Sequence, residues 1–477
     1  MTKYTPRLYQ PGEFEAARHY YPRVLNAHLH PMVRFFYSLS NEHLAARYCH
    51  LHPEADGAQV RSLLTTPPRY FRWAGADLFH ATSERGERRN VVIETNSSPS
   101  GQKSMPFDDR DEYGGYRLLI ERSFLPLLKK RKLPSGGLAV IADKNDTETT
   151  GYAATIAELS GEPVWWVPFY ERDPDPPARF DDGVLHIRDH QGAWQPIRAA
   201  FRYVTQKPWA RIPALTKTLM FNPVLACLAG GRNKLVAAKA YDQFNAGLHR
   251  FGLEICTPET IWDVPKREVP LWVERMGGVA VVKVPYANAG QGVYTITNES
   301  ELAAFVNEQH SYELFIVQGL IGNARWSSST RSGRLYHVGT VPNRHGRIFA
   351  ADLRFMVGVG SEGFYPIAIY SRRARSALAE RIEDGRDSWS MLGTNLSVQE
   401  PDGSWKTEPE RLLLMDSRDF NRLGLGLDDL TEAYIQTVLA VTAIDQMAQR
   451  LVTSKGNFRR RYFSTLNPDQ KLTAEIL

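Results

Sequence analysis

The chain has 477 residues, 43% of them hydrophobic and 23% charged, with a formal net charge of +5. That is the composition of a globular, enzyme-sized body of two or three domains, and it excludes disordered and fibrous classes. Three widely spaced cysteines, Cys49, Cys227 and Cys256, argue against a disulfide framework or a zinc site, and with no signal-type or membrane-length apolar run the expected setting is cytoplasmic.

In chain order, Met32–Leu39 predicts a helix. His28, His30, His50 and His52 cluster around it, but residues two apart share a face only in extended chain, so no metal site is expected there. The run Ala76–His80, the turn Ser83–Glu87 and the run Val92–Asn96 predict an antiparallel hairpin. On it Glu94 and Asn96 stand two apart, just before Pro99 and Gly101, and Asp77 faces them from the adjacent strand. Oxygen donors on a rigid edge suit Mg²⁺, which fills its remaining positions with water and substrate phosphates; a strand end with polar caps accounts for the same residues. A helix is predicted from Tyr113 to Lys130, with Leu118, Leu119, Phe124, Leu127 and Leu128 on its apolar side. The basic runs Lys129–Lys132 and Arg459–Arg461 read as solvated faces rather than nucleic-acid contacts. Strand Gly137–Asp143, a helix through Leu159 and strand Val164–Pro168 alternate as a parallel α/β layer. Ligands settle at the carboxyl ends of such strands, so the loop Asp143–Thr150 is either a substrate wall or a plain acidic helix cap. Val184–Ile187 and Ala200–Val204 predict further strands beyond the surface turn Pro174–Pro177.

Lys234 lies in a helix that starts at Asn233. Val279–Val284 is a buried-type strand that ends at Lys283, followed by a small-residue loop to Gly292 and a new strand from Val293. A lysine supplies a point charge for phosphate oxygens, and Gly290 and Gly292 let backbone N–H groups approach them. This is not a P-loop, because the lysine precedes the glycines; a simple hairpin is the other reading. Tyr312–Gln318 is a β-run ending in a Gly319-Leu320 hinge whose backbone suits an adenine edge. Asp352–Val359 predicts a strand carrying Arg354, and a long helix starts at Asp428, its Leu430, Tyr434, Val438, Val441 and Met447 forming a core stripe. The tail from Lys455 reads as polar and loosely held. Arg72 and Arg354 are candidates for gripping a phosphoryl group or carboxylate with their planar forks, ahead of Arg202, Arg372 and Arg373.

Taken together, Lys234, Lys283 with its glycine loop, the Gln318-Gly319-Leu320 hinge, Asp352–Val357 and the Glu-x-Asn-x-x-Pro-x-Gly element beginning at Glu94 resemble the ATP-grasp superfamily. In the commoner order of that superfamily the Glu-x-Asn strand follows the lysines. Here it precedes them, which resembles the arrangement of glutathionylspermidine synthetases and eukaryotic glutathione synthetases. The resemblance rests on short motifs over residues 70–400. It implies an α/β (α+β) ATP-grasp fold with circularly permuted motif order, beside the parallel α/β layer, and the use of ATP and Mg²⁺. It further implies Asp77, Glu94 and Asn96 as metal ligands, and Lys234, Lys283, Gly290, Gly292, Gln318, Gly319 and Leu320 around the nucleotide. Segments 1–115, 116–225, 226–325 and 326–477 would then carry the metal edge, the substrate side, the lid and the C-terminal part of the grasp. The implied reaction joins a carboxylate to an amine through an acylphosphate, the partners being an amino acid, a short peptide or a polyamine, with no nucleic acid and no membrane. A small-molecule kinase and a non-catalytic nucleotide-binding protein are the alternatives. If the order were not permuted, the metal site would fall near Asn395.

Overall fold

Three sheets organise the chain in the computed structural model, which describes residues 5–107, 111–287, 290–382, 387–399 and 405–477. The result is a mixed α/β fold.

The central sheet is antiparallel. Strand Trp73–Ser83 has Arg88–Asn96 on one side and Ala351–Gly360 on the other; Gly363–Arg373 and Leu412–Leu413 extend it, and Leu335–His337 pairs with the far end of Trp73–Ser83. One face, including Ala76, Leu78, Leu353 and Phe355, is buried in the core. The 24-residue helix Leu427–Arg450 packs there, with Phe355 and Tyr434 ring centroids 5.9 Å apart. Its predicted stripe of Leu430, Tyr434, Val438, Val441 and Met447 is fully inside, each side chain contributing about 1.5–3 kcal/mol. From this helix the carboxylate of Asp445 accepts the backbone N–H groups of Arg69, Tyr70 and Phe71, which fixes where the first central strand starts.

The second sheet is the α/β layer. Gly137–Ala142 runs parallel to Val164–Pro168 and to Trp194–Tyr203, and helix Asp146–Ser160 crosses between the first two. A short N-terminal strand, Arg7–Tyr9, adds an antiparallel edge. The third sheet is antiparallel, in the order Thr260–Pro265, Leu314–Gln318, Ala280–Lys283, Val293–Ile296.

Two expectations change. The helix from Gly115 to Lys130 is interrupted by a π-turn over Ile120–Phe124, two residues before Pro126, which has no N–H to continue an α ladder. The tail beyond Lys455 is not loose. It forms helices Arg460–Leu466 and Gln470–Ile476 and buries Phe463, Leu466 and Leu472. The Glu475 carboxylate also meets the Lys207 ammonium at 2.7 Å. The two basic runs are exposed, as their composition suggests. No helix among the described residues is long and apolar enough to cross a membrane.

Candidate active site

A cavity of about 450 Å³ opens where the three sheets meet. Its floor is the face of the central sheet turned away from the core. Reaching that face depends on one irregularity. Leu78 pairs with Val92, but its neighbour Asp77 pairs with Glu94, so Ile93 is an extra residue: a β-bulge. Strict alternation from buried Val92 would turn Glu94 and Asn96 into the core. The bulge reverses the phase, so that Glu94, Asp77, Arg354 and Tyr370 lie directly across from one another on four strands. Asn96 stands over Gly75 in the next row, and Thr95 turns inward, its hydroxyl bonded by Tyr241 at 2.8 Å.

The turn after Asn96 folds back onto this floor. Pro99 sits over Gly75, where any Cβ would lie 2.7 Å from the proline ring, and Gly101 passes equally close to Met356 and Tyr370. The Pro and Gly of the motif are therefore packing requirements.

Charges on the floor are tightly paired. The Arg354 Nε and NH2 groups donate to the two Asp77 oxygens at 2.5 and 2.6 Å. Arg372 lies 3.0 Å from the same carboxylate and also pairs with Asp352, which accepts a 2.8 Å bond from Thr394. Burial alone would raise the Asp77 carboxyl; the two guanidinium charges, Arg354 first, overcome it and hold it at about 2. Both Asp77 oxygens thus accept arginine N–H groups, and the carboxylate the sequence suggests as a third metal ligand is held in ion pairs on the cavity floor.

The third sheet supplies the opposite wall. Lys283, 5% exposed, reaches the carbonyl of the bulged Ile93 at 3.3 Å. Burial, with Lys234 adding to it and Glu94 opposing, pushes its ammonium down to about 8. Lys234, at the first position of helix Lys234–Leu248, bonds the Ala287 carbonyl at 3.1 Å and stands 3.6 Å from Glu94. Gly290 lines the cavity with a φ of +80°. Gly292 does not line it: with a φ of +63° it closes the turn, accepting Val284 N–H, and a Cβ there would meet the Val284 side chain at 2.3 Å. Asn288 and Ala289 of this loop lie outside the described residues.

Gln318, Gly319 and Leu320 line the cavity beside the apolar Phe79, Ile93, Val281 and Leu392. The hinge donors are engaged, however: Gly319 N–H binds the Glu259 carbonyl at 2.8 Å and Leu320 N–H the Ser328 hydroxyl at 2.7 Å. An adenine edge would need other donors than these.

Arg72 lies outside the cavity; its backbone N–H binds Asn222, and its guanidinium lies in the field of Asp445 and Arg131. Arg202 is spent on structure, donating to the Asn222 and Val204 carbonyls at 2.7 and 2.6 Å, and Arg373 sits over Phe349, 4.9 Å from its ring centroid. Among the clustered histidines, His30 caps its helix by accepting Met32 N–H. Asn395 does line the cavity, on the side of Gly290.

Sequence reasoning missed Lys103, Arg232 and His337, which line the cavity together with Lys144 and Asn145. Lys144 and Asn145 belong to the loop suspected as a substrate wall; Asp143 itself turns away and holds Thr205 and Gln206 N–H groups at 2.8 and 2.7 Å. From Asp146 onward that loop is helix. Nothing in the local pattern marks the other three.

No protein-family model and no curated protein matches the sequence. Among solved structures the chain is similar in part to ATP-grasp proteins. A glutathione synthetase-like effector from Globodera pallida is 10% identical, with 78% of this chain and 88% of that one covered at a TM-score of 0.36. A D-alanyl-alanine synthetase A from Vibrio cholerae is 12% identical over 50% and 89% of the two chains, at 0.30. A RimK domain ATP-grasp protein from Sphaerobacter thermophilus is 13% identical over 49% and 89%, at 0.28. All three TM-scores lie below 0.5.

Proposed function

We propose that the protein is an ATP-dependent carboxylate–amine ligase of the ATP-grasp type, with its motifs in permuted order. The observation that carries this reading is a single one. Two lysines from one sheet and its helix face a carboxylate and an amide from another sheet across a shared cavity, although they are more than a hundred residues apart in sequence. Transfer of a phosphoryl group needs positioning and charge neutralisation more than covalent help, and that is what this constellation offers. In this reading the substrate ATP lies between the walls, with Lys234 and Lys283 on its phosphates and Gly290 passing close to them.

The donors fit a magnesium ion at Glu94 and Asn96. They present two side-chain oxygen donors from one strand face, and Glu94 meets no cation nearer than Lys234 among the described residues. When bound, Mg²⁺ would offset phosphate charge. Asp77 serves differently: by accepting the Nε and NH2 groups of Arg354 it holds that guanidinium toward the carboxylate or the transferring phosphoryl group. Activation of the carboxylate as an acylphosphate then lets an amine displace phosphate, and no protein nucleophile is required. The segments 1–115, 116–225, 226–325 and 326–477 are accordingly read as metal edge, substrate side, lid and C-terminal part of one site.

The test is stoichiometric. Purified protein with Mg²⁺ and ATP is screened against paired amino acids, peptides and amines for ADP and free phosphate. A ligase releases both only when a carboxylate and an amine are present together; a stable phosphorylated product from one substrate alone would make it a kinase and refute the reading.

A further inference from the structure

A fully buried carboxylate stands behind one wall of the cavity. Glu148, in the first turn of helix Asp146–Ser160, is 0% exposed. It accepts the backbone N–H groups of Gly101 and Gln102 at 3.1 and 3.4 Å. It also accepts the Ser100 hydroxyl at 3.2 Å, the Asn145 amide at 3.2 Å and the Tyr152 hydroxyl at 3.4 Å. Ser100, Gly101 and Gln102 belong to the turn that follows the Glu94–Asn96 strand, whereas Asn145 lies just after strand Gly137–Ala142 of the α/β layer. The carboxylate therefore ties two walls of the cavity together.

The groups it holds face the cavity: Ser100, Asn145 and Lys103 line it beside Ser98 and Tyr203. Asn145 has a φ of +64°, and although it stands at the N-cap of the helix its side chain does not cap it. Its amide nitrogen donates to Glu148, and to the Ser100 and Tyr203 hydroxyls at 3.0 Å each, while its amide oxygen accepts the Lys103 ammonium. Burial pushes that ammonium down, and the Glu148 charge opposes it. The Ser100 carbonyl accepts the Tyr370 hydroxyl at 2.7 Å, which ties the same turn to the floor row of Arg354. Each of these groups donates to Glu148, and a carboxylate, which only accepts, satisfies them all. An amide in its place would turn an NH2 group onto another donor.

We propose that Glu148 is a positioning residue of the active site: by locking the turn after Asn96 onto Asn145, it fixes Ser100, Asn145 and Lys103 as the wall that receives the substrate lying beyond the nucleotide. The inference rests on the ligase reading, in which the phosphates lie at Lys234 and Lys283. That leaves the carboxyl ends of the parallel α/β strands, where Asn145 and Tyr203 stand, to the carboxylate or amine partner. Glu148 itself acts through Asn145, Ser100 and Lys103.

The experiment uses the full chain and the variants E148Q, E148Q/N145D and K103M. E148Q sets an NH2 group against the Asn145 NH2 and breaks the junction. In E148Q/N145D the introduced aspartate accepts both that NH2 group and the Lys103 ammonium, restoring the junction at the same net charge. The first readout is acylation of Lys103 by sulfo-NHS-acetate, followed by mass spectrometry. At about pH 8 it should run about tenfold faster in E148Q, the equivalent of one pKa unit, and return towards wild type in E148Q/N145D. The second is ATP-dependent phosphate release with the paired amino acids, peptides and amines of the stoichiometric screen. E148Q and K103M should raise the KM of the same carboxylate or amine by about tenfold, with the KM for ATP within about twofold of wild type, and N145D should rescue E148Q. Unchanged Lys103 reactivity in E148Q, a defect shared equally by ATP, or a double variant no better than the single one overturns the positioning role. If E148Q does not fold, K103M decides, and an unchanged KM for both partners overturns it. If no pair releases phosphate in the wild type, the ligase reading fails, and the Lys103 acylation rates still decide the junction.

Discussion

Replacing Lys283 by methionine should move stability and function in opposite directions. The ammonium is 5% exposed and has one hydrogen-bond acceptor, the Ile93 carbonyl at 3.3 Å. Its fall from 10.5 to about 8 corresponds to roughly 3 kcal/mol spent on keeping the charge buried in the nucleotide-free protein. Methionine keeps the length of the side chain and removes that cost, less about 1 kcal/mol for the lost hydrogen bond. The variant should therefore be as stable as wild type or more stable by about 1–2 kcal/mol near neutral pH. The sign with pH follows. Because the folded value is depressed, the penalty is fully present below about 8 and disappears as pH rises towards 10.5, so the advantage of the variant should shrink over that range. Nucleotide binding should go the other way. Without the charge, ATP affinity or turnover should fall by more than about tenfold, which is about 1.4 kcal/mol. Urea denaturation at several pH values and ATP titration would measure both. A variant that is markedly less stable but binds ATP normally would refute the assignment and leave the glycine loop as an ordinary hairpin.

Three further outcomes follow from the same geometry. Glu94→Gln should leave the thermal midpoint almost unchanged, since its side chain is 28% exposed and lies at a strand end, yet abolish ATP-dependent turnover; full activity would remove Glu94 from the metal edge. Asp77→Asn should destabilise by about 2–3 kcal/mol near neutral pH, because it leaves Arg354 and Arg372 buried without their shared carboxylate. With the wild-type carboxyl held at about 2 against 3.8, that contribution is present above 3.8 and lost as pH falls towards 2, so the two proteins should converge in acid; parallel acid limbs would count against the pairing. Truncation after Lys455 should lower the denaturation midpoint, since Phe463, Leu466 and Leu472 contribute about 1.5–3 kcal/mol each by burial; an unchanged midpoint would mean that the last two helices are dispensable.

Much of this was legible in one dimension because the signals are local. A β-run ending in Lys283 and followed by glycines at positive φ is a strand and turn by its own chemistry, and it folds as one. The strand–helix–strand alternation from Gly137 to Pro168 likewise needs no distant information. The hairpin of Asp77 and Glu94 was legible from its turn residues, but the placement of its side chains was not. Whether Glu94 faces the cavity or the core depends on the bulge at Ile93, whose carbonyl is met by Lys283 from another sheet. The pairing of Arg354 and Arg372 with Asp77 was equally hidden, since it joins residues 277 or more positions apart through the register of three strands. So was the gathering of Lys103, Lys144 and Arg232, each unremarkable in its own neighbourhood. Local sequence determines which strands, turns and helices form, because backbone preference acts over a few residues. The tertiary structure alone decides which charges meet, because like charges are held together in a cavity only by the packing of elements that the sequence keeps far apart.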